Sequence, residues 1–142
     1  FLDKIRGKFE ITGETAPSPS SRLEYSMYLD GKWYGLEPKE GSFPASDPVK
    51  SLDASILQEN LLNPVLGIED PRTSERIKFV GGIRGTEELE KLVDSGKFKV
   101  AFSLHPTSID QLIEVAESGN VMPPKSTWFE PKLRSGMVVH LL

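Results

Sequence analysis

The pair Asp30-Gly31 constrains the fold of this chain more than any other feature of its sequence. It stands in the segment YSMYLDGKWYGLE, residues 25–37, between two runs rich in aromatic and aliphatic residues. An Asp-Gly pair supplies the positive φ angles that a two-residue hairpin turn requires, and the flanking residue types favour strands. The sequence therefore predicts a β-hairpin here, and the rest of the chain has to pack around it.

The other segments predict helices and strands that would complete a sheet with that hairpin. Apolar spacing and end signals predict helices over residues 1–8, 52–62, 87–95 and 109–118. Ser51 or Asp53, Thr86, and Thr107 or Ser108 are the expected N-caps, and Pro64, Gly96 and Gly119 are the expected ends. Strands are predicted over residues 9–12, 77–80, 100–104 and 137–142. The prediction is one α+β domain over residues 1–142, whose mixed sheet of about five to six strands combines the hairpin with βαβ-like units and carries helices packed against it.

Composition excludes several classes of function. The 142 residues include no cysteine, which rules out disulfides, thiolate catalysis and cysteine-ligated metals. The net charge is -4 and the basic residues are scattered, so nucleic acid is not an expected partner. No apolar run is long enough to span a membrane, and a cytoplasmic location is expected. Because the chain begins with Phe1 inside an amphipathic pattern, we expect it to be the C-terminal fragment of a larger protein.

The segment of residues 121–134 is the first candidate site. Its three prolines stiffen a loop that carries Lys125, Ser126, Thr127, Lys132 and Arg134, together with Trp128 and Phe129. A lysine charge, two hydroxyls and nearby backbone amides are the groups that bind a phosphate, and an aromatic ring could stack on a base. An ordinary surface crossover anchored by its aromatic residues remains the alternative. The Lys-Ser-Thr run is not a P-loop, since no GxxxxGK pattern precedes it.

Two further loops are candidates. In SLHPTS, residues 103–108, His105 follows a predicted strand and precedes a helix, a position that suits an acid, a base or a phosphate contact. The alternative is that Thr107 or Ser108 is only an N-cap and His105 an ordinary loop residue. In VGGIRG, residues 80–85, the glycines permit close approach to a ligand and Arg84 could bind an anion. A tight turn needs the same glycines, so a structural role is favoured there.

The remaining ionisable residues predict no site. The acidic residues of the two later helices fit solvated faces, and Asp53 fits a helix cap. His140 is distant in sequence from His105, so two histidines without cysteines make a poor zinc site, and no metal is expected. No Ser/His/Asp triad can be argued from the spacing.

Four runs give the chain a specific resemblance. They are LDASILQENLLNPVLGIEDPR, RIKFVGGIRG, VAFSLHPTSIDQLIEVAESG and, most specifically, VMPPKSTWFEPKLRSGM. Together they resemble the C-terminal half of the prokaryotic family catalogued as domain of unknown function number ten-fifteen. The resemblance covers nearly the whole chain and is looser before Lys50.

The resemblance implies a nucleotide-binding region that this sequence does not itself contain. Full-length members carry an N-terminal Asp-Gly-His-His-Arg motif and resemble the ParB-like fold, whose relatives include kinases that act on free serine. That motif is absent from this sequence. The resemblance therefore implies that ATP or ADP with Mg²⁺ is bound mainly by an N-terminal region, which would also supply the general base. Lys125, Ser126 and Thr127, with Lys132 and Arg134, would face that region and complete a phosphoryl-transfer site.

The sequence is compatible with two functions. The first is one half of a nucleotide-dependent small-molecule phosphotransferase, with its own N-terminal domain and a small-molecule substrate as partners. The second is a non-catalytic binding or assembly module, in which the hairpin around Asp30-Gly31 pairs with another subunit and a homo-oligomer is possible. Clustering of Lys125, His105 and Arg84 would favour the first function, and their dispersal would favour the second.

Overall fold

Residues 1–127 are described by a computed structural model, and they form an α+β fold, which confirms the predicted class. The elements are α1 (Leu2–Ile5), β1 (Phe9–Glu14), β2 (Tyr25–Leu29), β3 (Lys32–Pro38), α2 (Asp53–Leu57), a π-helical turn (Gln58–Leu62), a 3-10 turn (Gly82–Arg84), α3 (Glu87–Asp94), β4 (Ala101–Leu104) and α4 (Ile109–Glu117). The strands form a four-stranded sheet in the order β1-β3-β2-β4.

The predicted hairpin is confirmed. β2 and β3 pair in antiparallel register from Tyr25 opposite Leu36 to Leu29 opposite Lys32. Asp30 and Gly31 form the turn with φ angles of 50° and 78°. Two consecutive positive φ values match the turn geometry that follows the twist of the strands. The hairpin lies at the centre of the sheet, because β1 pairs with the outer edge of β3 and β4 with the outer edge of β2.

One face of the sheet forms the core. Phe9, Tyr25, Met27 and Leu36 are almost completely buried on this face, and the rings of Phe9 and Tyr25 meet edge to face with centroids 5.6 Å apart. α1, α2 and the π-helical turn cover it with Ile5, Ile56, Leu57, Leu61 and Leu62. The alternation along β2 places these residues on one side because successive side chains of a strand point to opposite faces.

The opposite face is covered in part by α3. Trp33 donates a hydrogen bond from Nε1 to Glu90 at 2.7 Å, and the hydroxyl of Tyr28 donates to Asp94 at 3.0 Å. The rings of Tyr28 and Trp33 are neighbours, with centroids 5.0 Å apart. The two aromatic residues thus anchor α3 through their polar ends, and Glu90 and Asp94 are not merely solvated charges.

The helix ends follow the sequence signals in part. Ser108 caps α4 through a capping box, since its Oγ accepts from the Gln111 amide while the Gln111 side chain accepts from the Ser108 amide. Gly96 and Gly119 follow α3 and α4 with φ of 74° and 72°, as predicted. The N-cap position of α2, however, is Leu52, and the side chains of Ser51 and Asp53 do not cap it. Thr86 occupies the N-cap position of α3 without a side-chain bond.

The predicted strand over residues 77–80 is wrong. This segment lies between turns and pairs with no strand of residues 1–127, and Phe79 is 44% exposed. A short apolar run does not itself specify a strand, because pairing depends on a partner that lies elsewhere in the chain. Within this part of the chain, all strand pairings are antiparallel and no parallel βαβ unit forms. The predicted strand over residues 137–142 lies outside the described residues.

Candidate functional site

The candidate site lies at the end of the sheet where β2 begins and β4 ends. Because these strands are antiparallel, with Tyr25 opposite Leu104, the residues before β2 and the residues after β4 meet at this end. The start of α2 reaches the same place, since the Tyr25 hydroxyl donates a hydrogen bond to the Asp53 backbone carbonyl at 3.0 Å. Three segments distant in sequence therefore converge on a small region.

Two of the predicted site loops are joined here. Thr107, in the loop after β4, donates a hydrogen bond from its Oγ1 to the Ser126 carbonyl at 3.1 Å. Ser126 closes its own turn, with its Oγ donating to the Pro123 carbonyl at 2.7 Å. The HPTS and PPKS segments thus lie side by side. Neither their separation in sequence nor their composition indicated this contact.

Positive φ angles mark two turns at this end of the molecule. Leu23, Asp30 and Lys125 are the non-glycine residues of the described part with positive φ, at 67°, 50° and 62°. Asp30 belongs to the hairpin turn at the other end of β2. Leu23 and Lys125 each occupy the third position of a turn, one closed by the Glu24 amide donating to the Ser21 carbonyl at 3.3 Å and the other by the Ser126 amide donating to the Pro123 carbonyl at 3.4 Å. A positive φ at that position is what a type II turn requires.

Asp53 is the buried charge of this region. It is 8% exposed, and each of its carboxyl oxygens accepts a hydrogen bond from the Leu23 amide at 3.3 Å. The positive φ of Leu23 belongs to the backbone that presents this amide. Burial raises the pKa of Asp53 above its ordinary value, and the Leu23 bond and the nearby charges of Arg22 and His105 offset part of that rise.

Arg22 and Tyr25 hold the backbone around Asp53. Arg22 donates from Nη2 to the Ser51 carbonyl at 2.7 Å, and Tyr25 donates to the Asp53 carbonyl. Burial, and next the negative charge of Asp53, raise the pKa of the Tyr25 phenol well above its usual range. The phenol therefore stays protonated and remains a donor at any physiological pH.

His105 lies in the loop after β4, at the same end of the sheet. Its Nδ1 is buried and has no hydrogen-bond partner within the described part of the chain, while the residue as a whole is partly exposed. Within the described residues no hydrogen bond joins this ring nitrogen to Asp53. A buried ring nitrogen without a partner is uncommon and calls for an explanation.

The other predicted site residues are only partly brought together. Arg84 is exposed in the 3-10 turn, and its side chain makes no hydrogen bond with residues 1–127. Thr127 is partly buried and Lys125 exposed. Lys132 and Arg134 lie outside the described residues, as do Trp128 and Phe129. Lys125 and His105 thus belong to joined loops, whereas no contact brings Arg84 to them.

A shallow cavity of about 200 Å³ opens beside this end of the sheet, under the loop of residues 15–20. Hydroxyl groups line it, from Thr12, Thr15, Ser18, Ser20 and Ser26, together with Glu24 and Glu37. One carboxyl oxygen of Glu24 accepts from the Ser20 amide, the Ser20 hydroxyl and the Ser21 amide, and these bonds lower the pKa of Glu24. Gly35 forms its floor, where a Cβ would collide with the Thr12 hydroxyl.

Within residues 1–127, no group of three or more His, Asp or Glu side chains could hold a metal ion. No helix of that part is long and apolar enough to cross a membrane. Comparison of the chain with protein-family models, with curated proteins and with solved structures gave no match.

Proposed function

We propose that this chain is part of a nucleotide-dependent small-molecule phosphotransferase of the cytoplasm, in which the HPTS and PPKST loops bind a phosphate group. The observation that carries the proposal is the Thr107–Ser126 hydrogen bond, which joins two loops that the sequence had marked independently as phosphate-binding candidates. The assignment to domain of unknown function number ten-fifteen belongs to the same proposal. It adds that ATP or ADP with Mg²⁺ is held mainly by a preceding N-terminal region.

The chemistry of the joined loops supports this proposal. Phosphoryl transfer is catalysed mainly by positioning and by neutralising charge, so a lysine and a few donors can complete a site begun by another region. Lys125 is exposed and fixed in a left-handed turn, which reduces the conformational freedom that a phosphate would have to restrict. Thr107 and Ser126 use their hydroxyls to fix the loops, which leaves the Lys125 ammonium and the Thr127 hydroxyl as groups for a ligand.

The assembly-module alternative is not favoured by the observed sheet. It depended on the hairpin pairing with another subunit, but β2 and β3 already have partners on both sides. A homo-oligomer formed through other surfaces remains a separate proposal, which the size of the protein in solution would test.

Lys125→Ala is expected to remove phosphate-dependent stabilisation of the natural full-length protein. Thermal unfolding is measured with inorganic phosphate, and with ATP or ADP plus Mg²⁺, for the wild type and the variant. A ligand at ten times its dissociation constant adds about 1.4 kcal/mol to the stability of the wild type. The variant should lose this gain and keep its unliganded melting temperature, because Lys125 is exposed and has no ion pair within residues 1–127.

Lys97→Ala is the matched control, since Lys97 is an exposed lysine in the turn after α3. It should keep the whole stabilisation by phosphate. An equal loss in both variants would mean that phosphate binds through general charge attraction, and the proposal would fail. Stabilisation that persists in Lys125→Ala would place the phosphate away from these loops.

A further inference from the structure

A β-bulge shapes the cavity that lies under the loop of residues 15–20. The register between β1 and β3 shifts between Ile11 and Gly13, so Thr12 is an extra residue in β1. A bulge of this kind turns a side chain away from its regular direction. Here the Thr12 hydroxyl lies over Gly35, in the space that a Cβ at that position would need. Gly35 is therefore required in β3, and the hydroxyl is held at the wall of the cavity.

The loop of residues 15–20 is held over the cavity at both ends. Near its start, the buried Ser26 hydroxyl donates a hydrogen bond to the Ala16 carbonyl at 2.8 Å. At its other end, one oxygen of Glu24 accepts from the Ser20 amide at 3.0 Å and from the Ser20 hydroxyl at 2.7 Å. The walls of the cavity are therefore fixed before a ligand arrives, which lowers the entropy cost of binding.

The carboxylates at the cavity carry an excess of negative charge. Tyr25 pairs with Leu36 across β2 and β3. The residues next to this pair, Glu24 and Glu37, are therefore neighbours, and both line the cavity. Glu10 lies opposite Glu37 on the β1 side. None of these glutamates has an ion pair within residues 1–127, and the lining residues of that part include no lysine or arginine. Like charges at facing positions of a sheet repel each other, so a cation between them would be stabilising.

We propose that this cavity binds a small molecule that carries a primary ammonium group and lacks acidic groups. An ammonium group has three N–H donors and no acceptor. The cavity supplies acceptors that make no hydrogen bond with the described residues. These are the second oxygen of Glu24 and the hydroxyls of Thr12, Thr15 and Ser18. Phosphate and carboxylate groups would meet only like charge here, so this proposal does not depend on the phosphate site proposed above.

The charge of Glu24 and the size of the cavity narrow the class of ligand. The hydrogen bonds from Ser20 and Ser21 lower the pKa of Glu24, so its carboxyl group is ionised at neutral pH. The volume of about 200 Å³ is below the lower limit of about 300 Å³ for sites that hold drug-sized molecules. The ligand is therefore a small alkylammonium ion, or the ammonium end of a longer amine whose chain extends into solvent.

Titration with ethylammonium chloride tests the proposal. The probe is added to the ¹⁵N-labelled natural full-length protein at constant ionic strength, and the backbone amide shifts are followed. We expect saturable shifts in the millimolar range, as so small a probe allows, with the largest at Ser18, Ser20 and Gly35. Tetramethylammonium chloride carries the same charge without an N–H donor, and it should cause no saturable shift there.

Two variants of the lining residues make the test specific. Glu37→Gln should weaken the binding of ethylammonium by about tenfold or more, because it removes a charge-assisted contact. Its amide spectrum should otherwise remain that of the wild type, since Glu37 is exposed. Thr12→Val keeps the shape of the side chain, removes the hydroxyl, and should weaken binding by about fivefold. Glu117→Gln is the matched control, since Glu117 is an exposed glutamate of α4, and it should bind as the wild type does.

Equal shifts with tetramethylammonium, or equal affinity for ethylammonium in Glu37→Gln and the wild type, would overturn the proposal, because general charge attraction would then hold the cation. Absence of saturable shifts with ethylammonium would overturn it as well. Inorganic phosphate titrated into the same samples should bind Glu37→Gln and the wild type with equal affinity. Failure of the phosphate proposal and failure of this one are therefore separate results.

Discussion

Phe9→Ala is expected to lower the free energy of unfolding by about 3–5 kcal/mol, the range for removing a buried phenylalanine ring. Phe9 is 0% exposed and packs edge to face on Tyr25. Its loss would open a cavity between β1, α1 and α2, which the neighbouring side chains can fill only in part. Because Tyr25 donates to the Asp53 carbonyl, the cavity would also loosen the candidate site. Equilibrium unfolding in urea measures the change.

Two variants make the Phe9 prediction specific. Phe79→Ala removes the same ring from a residue that is 44% exposed, and it should change the free energy of unfolding by no more than about 0.5 kcal/mol. Phe9→Leu keeps most of the buried volume and should recover most of the stability. Similar losses in Phe9→Ala and Phe79→Ala would show that the core does not centre on the sheet face described here.

Arg22→Ala is expected to cost about 1 kcal/mol at neutral pH, the usual value for a hydrogen bond, because solvent screens the exposed guanidinium. Arg22 donates to the Ser51 carbonyl and its positive charge lowers the pKa of Asp53, so the variant loses a bond and one of the interactions that offset the burial of Asp53. The double variant Arg22→Ala/Asp53→Asn should recover part of the loss, because no buried charge remains. The coupling measured by this cycle should be about 0.5 kcal/mol.

The pH dependence of this cycle follows from the raised pKa of Asp53. Burial is the main cause of that rise, so the fold favours the protonated acid. The contribution of Asp53 to stability is therefore complete below the ordinary aspartate range and is lost as pH rises through the raised pKa. Asp53→Asn should be at least as stable as the wild type at neutral pH, and the advantage should vanish in acid. The penalty of Arg22→Ala should likewise shrink in acid.

The exposed pair Arg72 and Asp70 provides the control cycle. These residues form a 2.9 Å ion pair at the surface, where solvent screens the interaction. Arg72→Ala and Asp70→Asn should show no resolvable coupling. Equal coupling in the two cycles, or an Arg22→Ala penalty that does not change with pH, would contradict the account of Asp53 as a buried charge held by Arg22.

Features encoded by neighbouring residues could be predicted from the sequence. The turn at Asp30 and Gly31, the capping box of Ser108, and the glycines that end α3 and α4 each depend on a few adjacent residues. Their geometry follows from what those side chains and φ angles permit. The α+β class also followed, since it depends on the alternation of helix and strand patterns more than on their pairing.

Features that depend on distant partners could not be predicted. Residues 77–80 have an apolar composition but no strand beside them, and the sheet is antiparallel because β4 returns to the edge of β2. Asp53 was interpreted as a helix cap, whereas its carboxylate bonds to Leu23, 30 residues earlier in the chain. Its Asp-Ala-Ser context also fits a helix start, so the residues beside Asp53 in the sequence do not distinguish a cap from a bond to a distant amide.

In the candidate site, too, single residues could be predicted from the sequence but their contacts could not. Lys125, Ser126, Thr127 and His105 could be singled out from residue types and loop positions. The contact between their loops could not, because it is made by Thr107 and the Ser126 backbone carbonyl. Arg84 carried a similar signal and lies in a turn without contact to these loops. Charge and glycine alone therefore do not distinguish a site from an exposed turn.

The most direct test of the account is where phosphate binds. Inorganic phosphate is titrated into ¹⁵N-labelled full-length protein, and the backbone amide shifts are followed residue by residue. If phosphate binds the joined loops, the largest shifts should fall on His105, Thr107, Ser126 and Thr127, with little change at Gly31 in the distant hairpin turn. Shifts spread over the exposed lysines, or largest around Arg84, would contradict it.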